Sequence, residues 1–363
     1  MKNNLQIIYF FKKRHIYTFN KNGPNEFLYG LDYLKKFYSC SSFFSPEHKN
    51  NLLFKLLGKI VAKQAKLGIY FQAYLNNKTK INNKALLFAV NDGVSFGLLF
   101  FKLINKLDNK ILVIIQGLHD RYKYFKWNKP LICFYKKLLN RANCILALSL
   151  YEKKLLIKFF HLNPNKVKVF YFGADVNYWN KNKVKDKTRK EEFILTIGND
   201  MHRDYDLLLN HYRLSVPLKF ITRVLTRTQL KKIKNSPVFE NYQQISNDKL
   251  RKLYHQAKFV IIPLKNTLAT SGLSAVLQAL SMEKPILLAK TPAIKELFED
   301  YKHVLFYQPS KPASFKQKLD ELNNNQKLRN NLAKNGRKIV EEKFNSRKMG
   351  KKALKIIKPF LSD

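Results

Sequence analysis

The sequence predicts an α/β protein built as two doubly wound domains, and three observations carry that prediction. Short apolar runs without polar alternation recur through the chain, and strands buried on both faces of a parallel sheet read this way. Amphipathic helical stretches separate the runs, which is the alternation of βαβ units. The chain has 363 residues, a length suited to two domains of ordinary size.

Leu5 to Phe11 is the first of these strands. Gly23-Pro24-Asn25-Glu26 then precedes the amphipathic Phe27 to Leu34. Asn51 to Leu67 reads as a basic amphipathic helix: Leu53, Leu56, Leu57, Ile60 and Leu67 form an apolar stripe, with Lys55, Lys59, Lys63 and Lys66 beside it. Such a helix either lies on an anionic membrane surface or is a domain-surface helix with solvated lysines. Lys84 to Val90 is a strand ending in Asn91-Asp92-Gly93. Ile111 to Ile115 is another, ending in Gln116-Gly117-Leu118-His119-Asp120-Arg121. Ligands of open parallel sheets gather at such carboxyl ends. Asn143 to Leu148, the helix Tyr151 to Phe160 and Val167 to Tyr171 complete the first half.

Asn180 to Glu192 is charged and poor in apolar residues, as a linker is. Beyond it, Phe193 to Ile197, Leu218 to Thr222, Phe239 to Ile245 and Phe259 to Pro263 alternate with helices. Leu268 to Lys290 reads as loop, helix, turn and strand. Leu273, Val276, Leu277 and Leu280 recur at helical spacing, Pro285 prevents the helix from continuing, and Ile286 to Ala289 is a buried strand. Thr270, Ser271 and Gly272 stand just before that helix, where free amides and the helix dipole suit an anion. From Phe315 onward the chain is helical and basic.

Sixty-eight basic against 25 acidic side chains give a formal charge of +43. The lysines are scattered, so biased composition accounts for part of the excess, yet the surface attracts polyanions either way. Three cysteines, none in a CxxC pair, fit a reduced chain without structural zinc. No metal-ligand spacing, P-loop or nucleic-acid motif appears. Ala85 to Ile104 is apolar but too interrupted to span a membrane.

The stretch around Gly272 resembles the donor-binding segment of GT-B glycosyltransferases, in particular the retaining group of glycosyltransferase family 4. Ser271-Gly272-Leu273, Leu277-Gln278-Ala279-Leu280 and Glu283-Lys284-Pro285-Ile286-Leu287 carry the likeness. The family's pair of glutamates, with seven residues between them, falls on Thr270 and Gln278, so both acids are missing. Gly198-Asn199 and Arg203 align with the loop that directs two basic residues at the donor diphosphate, with Asn199 at the first of those places. His119-Asp120 resembles the His-Asp whose histidine faces the donor sugar. Phe172-Gly173-Ala174-Asp175 resembles the segment that passes between domains, and Thr291 to Glu296 the family's Gly-Gly-x-x-Glu ending.

The resemblance implies two Rossmann-like domains facing a cleft. The first spans residues 1–180, a linker 181–192 follows, the donor domain spans 193–345, and a helix at 346–363 crosses back. It implies a retaining glycosyl transfer from a nucleotide-diphosphate sugar to a glycan or lipid-linked acceptor, as in surface-polysaccharide synthesis. No metal or other cofactor is expected beyond the donor itself. His119 is the catalytic candidate. Gly198, Arg203, Ile245, Thr270, Ser271, Gly272, Leu273 and Gln278 are donor-side candidates, with Ile245 near the nucleotide base. Glu26 and Asp92 are acceptor-side candidates. The chain is expected in the cytoplasm, peripheral on the inner membrane face through residues 51–67. Charge alone supports a nucleic-acid-binding protein instead, and the missing glutamates a lapsed GT-B protein that binds a nucleotide-sugar without turnover.

Overall fold

The structure is a computed structural model that describes residues 3–12, 23–45, 52–184 and 192–361, without the side chains of residues 3–5, 52, 53 and 55. Residues 185–191 of the expected linker and Asn51 at the expected helix start lie outside the described residues. The chain divides into two compact units. One comprises Met1–Tyr171 with Arg347–Asp363, the other Phe172–Ser346.

The first unit is built on a six-stranded sheet of β1 (Asn3–Lys12), β2 (Tyr38–Ser45), β3 (Leu86–Val90), β4 (Ile111–Ile115), β5 (Cys144–Ala147) and β6 (Val167–Val169). Their order is β2-β1-β3-β4-β5-β6, and each neighbouring pair is parallel. The central strands β3, β4 and β5 are buried at every residue, which is why they read as uninterrupted apolar runs. The register pairs Leu87 with Ile111 and Leu112 with Cys144, so the strands finish side by side at Val90, Ile115 and Ala147. Strand order reverses between β1 and β3, and sites of doubly wound sheets sit at such switch points. Strand β2 was not anticipated. Its sequence YSCSSFFS is largely polar because it is the edge strand, where Phe43 packs on Phe10 and Phe44 on Phe11.

The second unit carries β7 (Ile194–Ile197), β8 (Leu218–Ile221), β9 (Phe239–Tyr242), β10 (Val260–Ile262), β11 (Ile286–Ala289) and β12 (Leu305–Tyr307). These strands are again parallel, in the order β12-β11-β10-β7-β8-β9. The chain winds outward from β7 in one direction and from β10 in the other. The switch point therefore lies between β7 and β10.

The unit boundary falls between Tyr171 and Phe172 rather than near residue 180. Trp179 supplies the reason. Its ring is fully buried, edge-on to Tyr254 with centroids 5.9 Å apart, and its carbonyl accepts from Arg337 Nη1 at 2.9 Å. Residues 181–183 are likewise a 3₁₀ turn rather than open linker, Val184 is buried, and Lys181 Nζ meets Glu283 Oε2 at 2.6 Å. At the C-terminus the helix Ser346–Ile357 belongs, from Arg347 on, to the first unit, where Gly350 lies directly against Tyr33. No helix among the described residues is long and apolar enough to cross a membrane.

Candidate functional site

In the second unit, parallel pairing of β7 and β10 sets their carboxyl-end loops beside each other. The β7 loop is pinned to the β10 loop by two backbone hydrogen bonds. Asp204 N donates to Pro263 O at 3.1 Å and Lys265 N donates to His202 O at 2.7 Å, which together make an isolated antiparallel bridge between Arg203 and Leu264. This pinning directs Arg203 inward, where its side chain is 3% exposed.

The guanidinium lies against two of the predicted glycines. Gly198, at φ +151, leaves no room for a Cβ because Arg203 Nε and Cζ occupy that space. Gly272, at φ +77, would place a Cβ 2.8 Å from Nη1. Both glycines therefore serve close approach as well as backbone conformation. Asp200 Oδ2 stands 3.2 Å from Nε, an ion pair without good hydrogen-bond alignment, and Nη1 has no hydrogen-bond partner among the described residues. A buried guanidinium N–H without a partner is costly, and an anion would satisfy it.

Gly272 is also the residue on which the helix Leu273–Ser281 begins. The first-turn amides of a helix lack intrahelical partners, so Arg203 sits where the helix dipole already favours negative charge. Thr270 and Leu273 are buried at this turn, and Ser271 is half-buried. Arg203, Gly198 and the 270–273 turn thus lie together at the switch point of this sheet.

Gln278 lies on the same helix and is buried. Its Oε1 accepts from Tyr254 Oη at 3.4 Å, and Tyr254 in turn packs on Trp179. The neutral amide therefore has a hydroxyl to hold it in one orientation. Ile245 is half-buried and follows β9, at the carboxyl edge of the same sheet. Asn199, which stands where the resemblance expects a base, accepts from Arg223 N at 2.7 Å and so fastens the β7 loop to the end of β8. Arg223 itself is exposed there. Sequence reasoning missed it because its place depends on which strand lies next to β7.

In the first unit, Asp92, His119 and Glu152 collect behind the ends of β3, β4 and β5. Asn91 precedes Asp92 at φ +88, a conformation few side chains adopt, and caps the helix Asp92–Leu103 through Val94 N. Asp92 is buried, and its Oδ1 accepts from Gln116 N at 3.1 Å. Burial pushes its carboxyl up to about 6, although the amides of Gln116 and Gly117 and the charges of His119 and Arg121 oppose the rise. His119 has no exposed surface, and its Nε2 lies 3.5 Å from Oε1 of the equally buried Glu152. Burial lowers the imidazole pKa, but Glu152, with help from Asp92 and Asp120, outweighs it and holds the value above the ordinary one. Glu152 is fixed by its own contacts: Oε2 accepts from Leu148 N at 3.0 Å, and its amide donates to Ser149 Oγ at 3.0 Å.

Glu152 was not anticipated, because nothing in the sequence ties residue 152 to residue 119 until β4 and β5 pair. Glu26 is fully buried in the 3₁₀ turn Glu26–Leu28. Next to that turn, Tyr29 O accepts from Tyr9 Oη at 3.1 Å and Tyr29 Oη from Gln116 Nε2 at 3.0 Å. Asp92 and the Glu26 turn therefore share the neighbourhood of Gln116, while Arg203 and the 270–273 turn belong to the other unit.

Residues 225–339 match the family described as glycosyl transferases group 1. No curated protein matches the chain at a significant level. Among solved structures it is similar to a sucrose-phosphate synthase from Thermosynechococcus elongatus, at 12% identity and a TM-score of 0.74, over 98% of this chain and 99% of that one. Anabaena HepE, solved in complex with UDP and glucose, is similar at 13% identity and a TM-score of 0.70, over 97% and 99%. A glycosyltransferase from Rickettsia africae ESF-5 is similar at 12% identity and a TM-score of 0.68, over 99% and 100%.

Proposed function

We infer the reaction of a chain that is a GT-B glycosyltransferase with a group 1 segment in its second unit: it moves a sugar from a nucleoside-diphosphate sugar to a glycan or lipid-linked acceptor, with retention at the anomeric carbon. The observation that carries the reading is Arg203, a buried guanidinium seated against Gly198 and Gly272 at the switch point, with Nη1 unpartnered among the described residues. It lies where the first-turn amides of Leu273–Ser281 also gather.

When the bond between the anomeric carbon and the phosphate oxygen breaks, the nucleoside diphosphate leaves with the electron pair. The acceptor hydroxyl oxygen forms the new bond and its proton is released. Charge therefore develops on the diphosphate, and fixed donors directed at it are the largest lever a protein has on such a barrier. Arg203 and the 270–273 turn take that part. Gln278, oriented by Tyr254, holds the ribose through one acceptor and one donor. Ile245 lies at the edge of the base, and exposed Arg223 supplies the positive charge that Asn199 lacks. His119 is the proposed catalytic group, with Glu152 favouring its charged form, and Asp92 and Glu26 are the acceptor-side groups. A glycan of the cell surface is the proposed product, made at the cytoplasmic side of the membrane.

The test is a panel of UDP-, GDP- and ADP-sugars, scored by thermal shift and by release of the nucleoside diphosphate. Stabilisation together with release for one donor supports the reading. Failure of every donor to stabilise the chain refutes it. Stabilisation without release, across a range of acceptors, leaves a nucleotide-sugar-binding protein without turnover.

A further inference from the structure

The first unit carries an apolar face that the transfer reaction does not use. The helix Leu52–Ala65 turns Phe54, Val61 and Ala65 toward the core and leaves Leu56, Leu57 and Ile60 at 57%, 37% and 50% exposed. The helix is thus apolar on both sides, and burial against this unit accounts for only one of them. Segment 122–134 lies beside it, joined by a hydrogen bond from Asn128 Nδ2 to Gln64 Oε1 at 3.2 Å. Within that segment Trp127 is 86% and Tyr124 46% exposed, each with a lysine over its ring: Lys126 at 5.0 Å and Lys123 at 5.2 Å from the centroids.

Between the two elements runs a groove of about 390 Å³, lined by Leu57, Val61, Phe71, Phe100, Leu131 and Phe134. Residues 52–65 and 121–141 contain no aspartate or glutamate. Lys59, Lys63, Lys123, Lys126, Lys129, Lys136 and Lys137 lie among the apolar side chains.

We propose that this face docks the first unit onto an anionic bilayer leaflet, with Leu56, Leu57, Ile60 and Trp127 entering the boundary between headgroups and acyl chains and the groove receiving part of an acyl chain. Two features select a lipid surface. Lys123 pairs with Asp120 at 3.7 Å, but the two segments contain no acid of their own to neutralise the other lysines. Such lysines match lipid phosphates, each contributing on the order of 1 kcal/mol near such a surface. The large aliphatics among them have no use for phosphates and gain from leaving water. An exposed tryptophan and tyrosine suit the same boundary, since each ring has an apolar body and a polar handle. The docking requires neither donor nor acceptor, so it stands or falls apart from the transfer reaction.

The experiment uses the full chain and its own fluorescence. The sequence has two tryptophans, and Trp179 is fully buried in the other unit, so a change in emission reports Trp127. Vesicles of phosphatidylglycerol and phosphatidylcholine are compared with pure phosphatidylcholine. The expected result is co-sedimentation with the anionic vesicles only, a blue shift, and quenching by lipid brominated on the acyl chain. Lys59→Glu with Lys63→Glu should weaken binding by on the order of tenfold or more. Leu56→Glu with Ile60→Glu should abolish the blue shift while leaving the melting temperature unchanged, because both side chains are at least half exposed. Trp127→Ala should remove the signal and keep the sedimentation. Salt-sensitive sedimentation with unshifted, unquenched Trp127 would mean mere adsorption of a basic protein and would overturn the proposal. So would full insertion by the Leu56→Glu, Ile60→Glu variant.

Discussion

A Cβ on Gly272 would stand 2.8 Å from Arg203 Nη1. The glycine that opens the helix Leu273–Ser281 and the arginine that follows β7 are 69 positions apart in the chain, yet they share one contact. The space a side chain would need at 272 is held by a guanidinium, and this determines what substitutions at either position should do.

Arg203→Ala should weaken nucleoside-diphosphate binding by about 1.5–3 kcal/mol, the scale for a lost charged hydrogen-bond partner. Titration calorimetry of wild type and variant reads it directly. Equal affinities would place the diphosphate elsewhere.

Gly198→Ala should produce nearly the same loss by another route. The new methyl overlaps the guanidinium and is strained at φ +151, so Arg203 must leave its seat. Because both changes act on one contact, the double variant should lose about as much as either single one, not the sum. Additive losses in the cycle would separate Gly198 from Arg203.

Glu152 should govern the charge on His119. The imidazole pKa is raised in the fold, so His119 contributes stability that is present below its unfolded value and lost as pH rises through the folded one. Glu152→Gln removes the attraction that opposes burial. The imidazole pKa, followed by NMR of labelled histidine, should fall, and the alkaline loss of stability should move to lower pH. Glu152→Ala should cost about 3–5 kcal/mol, as for a buried pair left half-made. A His119 titration indifferent to Glu152→Gln would exclude the pair as its cause.

Asp92 should show as pH-dependent stability of its own. Its carboxyl is raised from 3.8 to about 6, so the fold favours the protonated form. Stability from this group is greatest below about 4 and declines as pH climbs toward 6, by on the order of 2–3 kcal/mol. Asp92→Asn should flatten that part of the curve, since an amide oxygen can still accept from Gln116 N. Urea melts between pH 4 and 7 check this, and an unchanged slope in the variant would refute it.

Gln278 bears on whether the enzyme turns over. Gln278→Ala should cost roughly 0.5–1.5 kcal/mol of donor affinity, the range for neutral hydrogen bonds. Gln278→Glu should be tolerated, because a carboxylate accepts from Tyr254 Oη as well as the amide does. Donor affinity and turnover are measured for all three forms. If the wild type proves inactive across the donor panel and Gln278→Glu restores turnover, the site is a lapsed one.

The sequence by itself determined the class of the fold and singled out residues that gather at the switch point of the second sheet. β3, β4, β5 and β10 announce themselves because burial on both faces removes every polar position from them, and β7 departs from this at Thr196. Gly198, Arg203 and Gly272 stand at strand ends and at a helix start, where local chemistry alone marks an anion site. Edge strand β2 did not show, since one-sided packing leaves its sequence polar. Tertiary structure decided the rest. It paired β4 with β5 and so brought Glu152 to His119. It set β7 beside β10 and so closed two glycines around Arg203. It buried Trp179 and left Trp127 in water. The physical reason is the same in each case: periodicity records how much of a side chain is buried, while the identity of its neighbour depends on strand order, which no local stretch encodes.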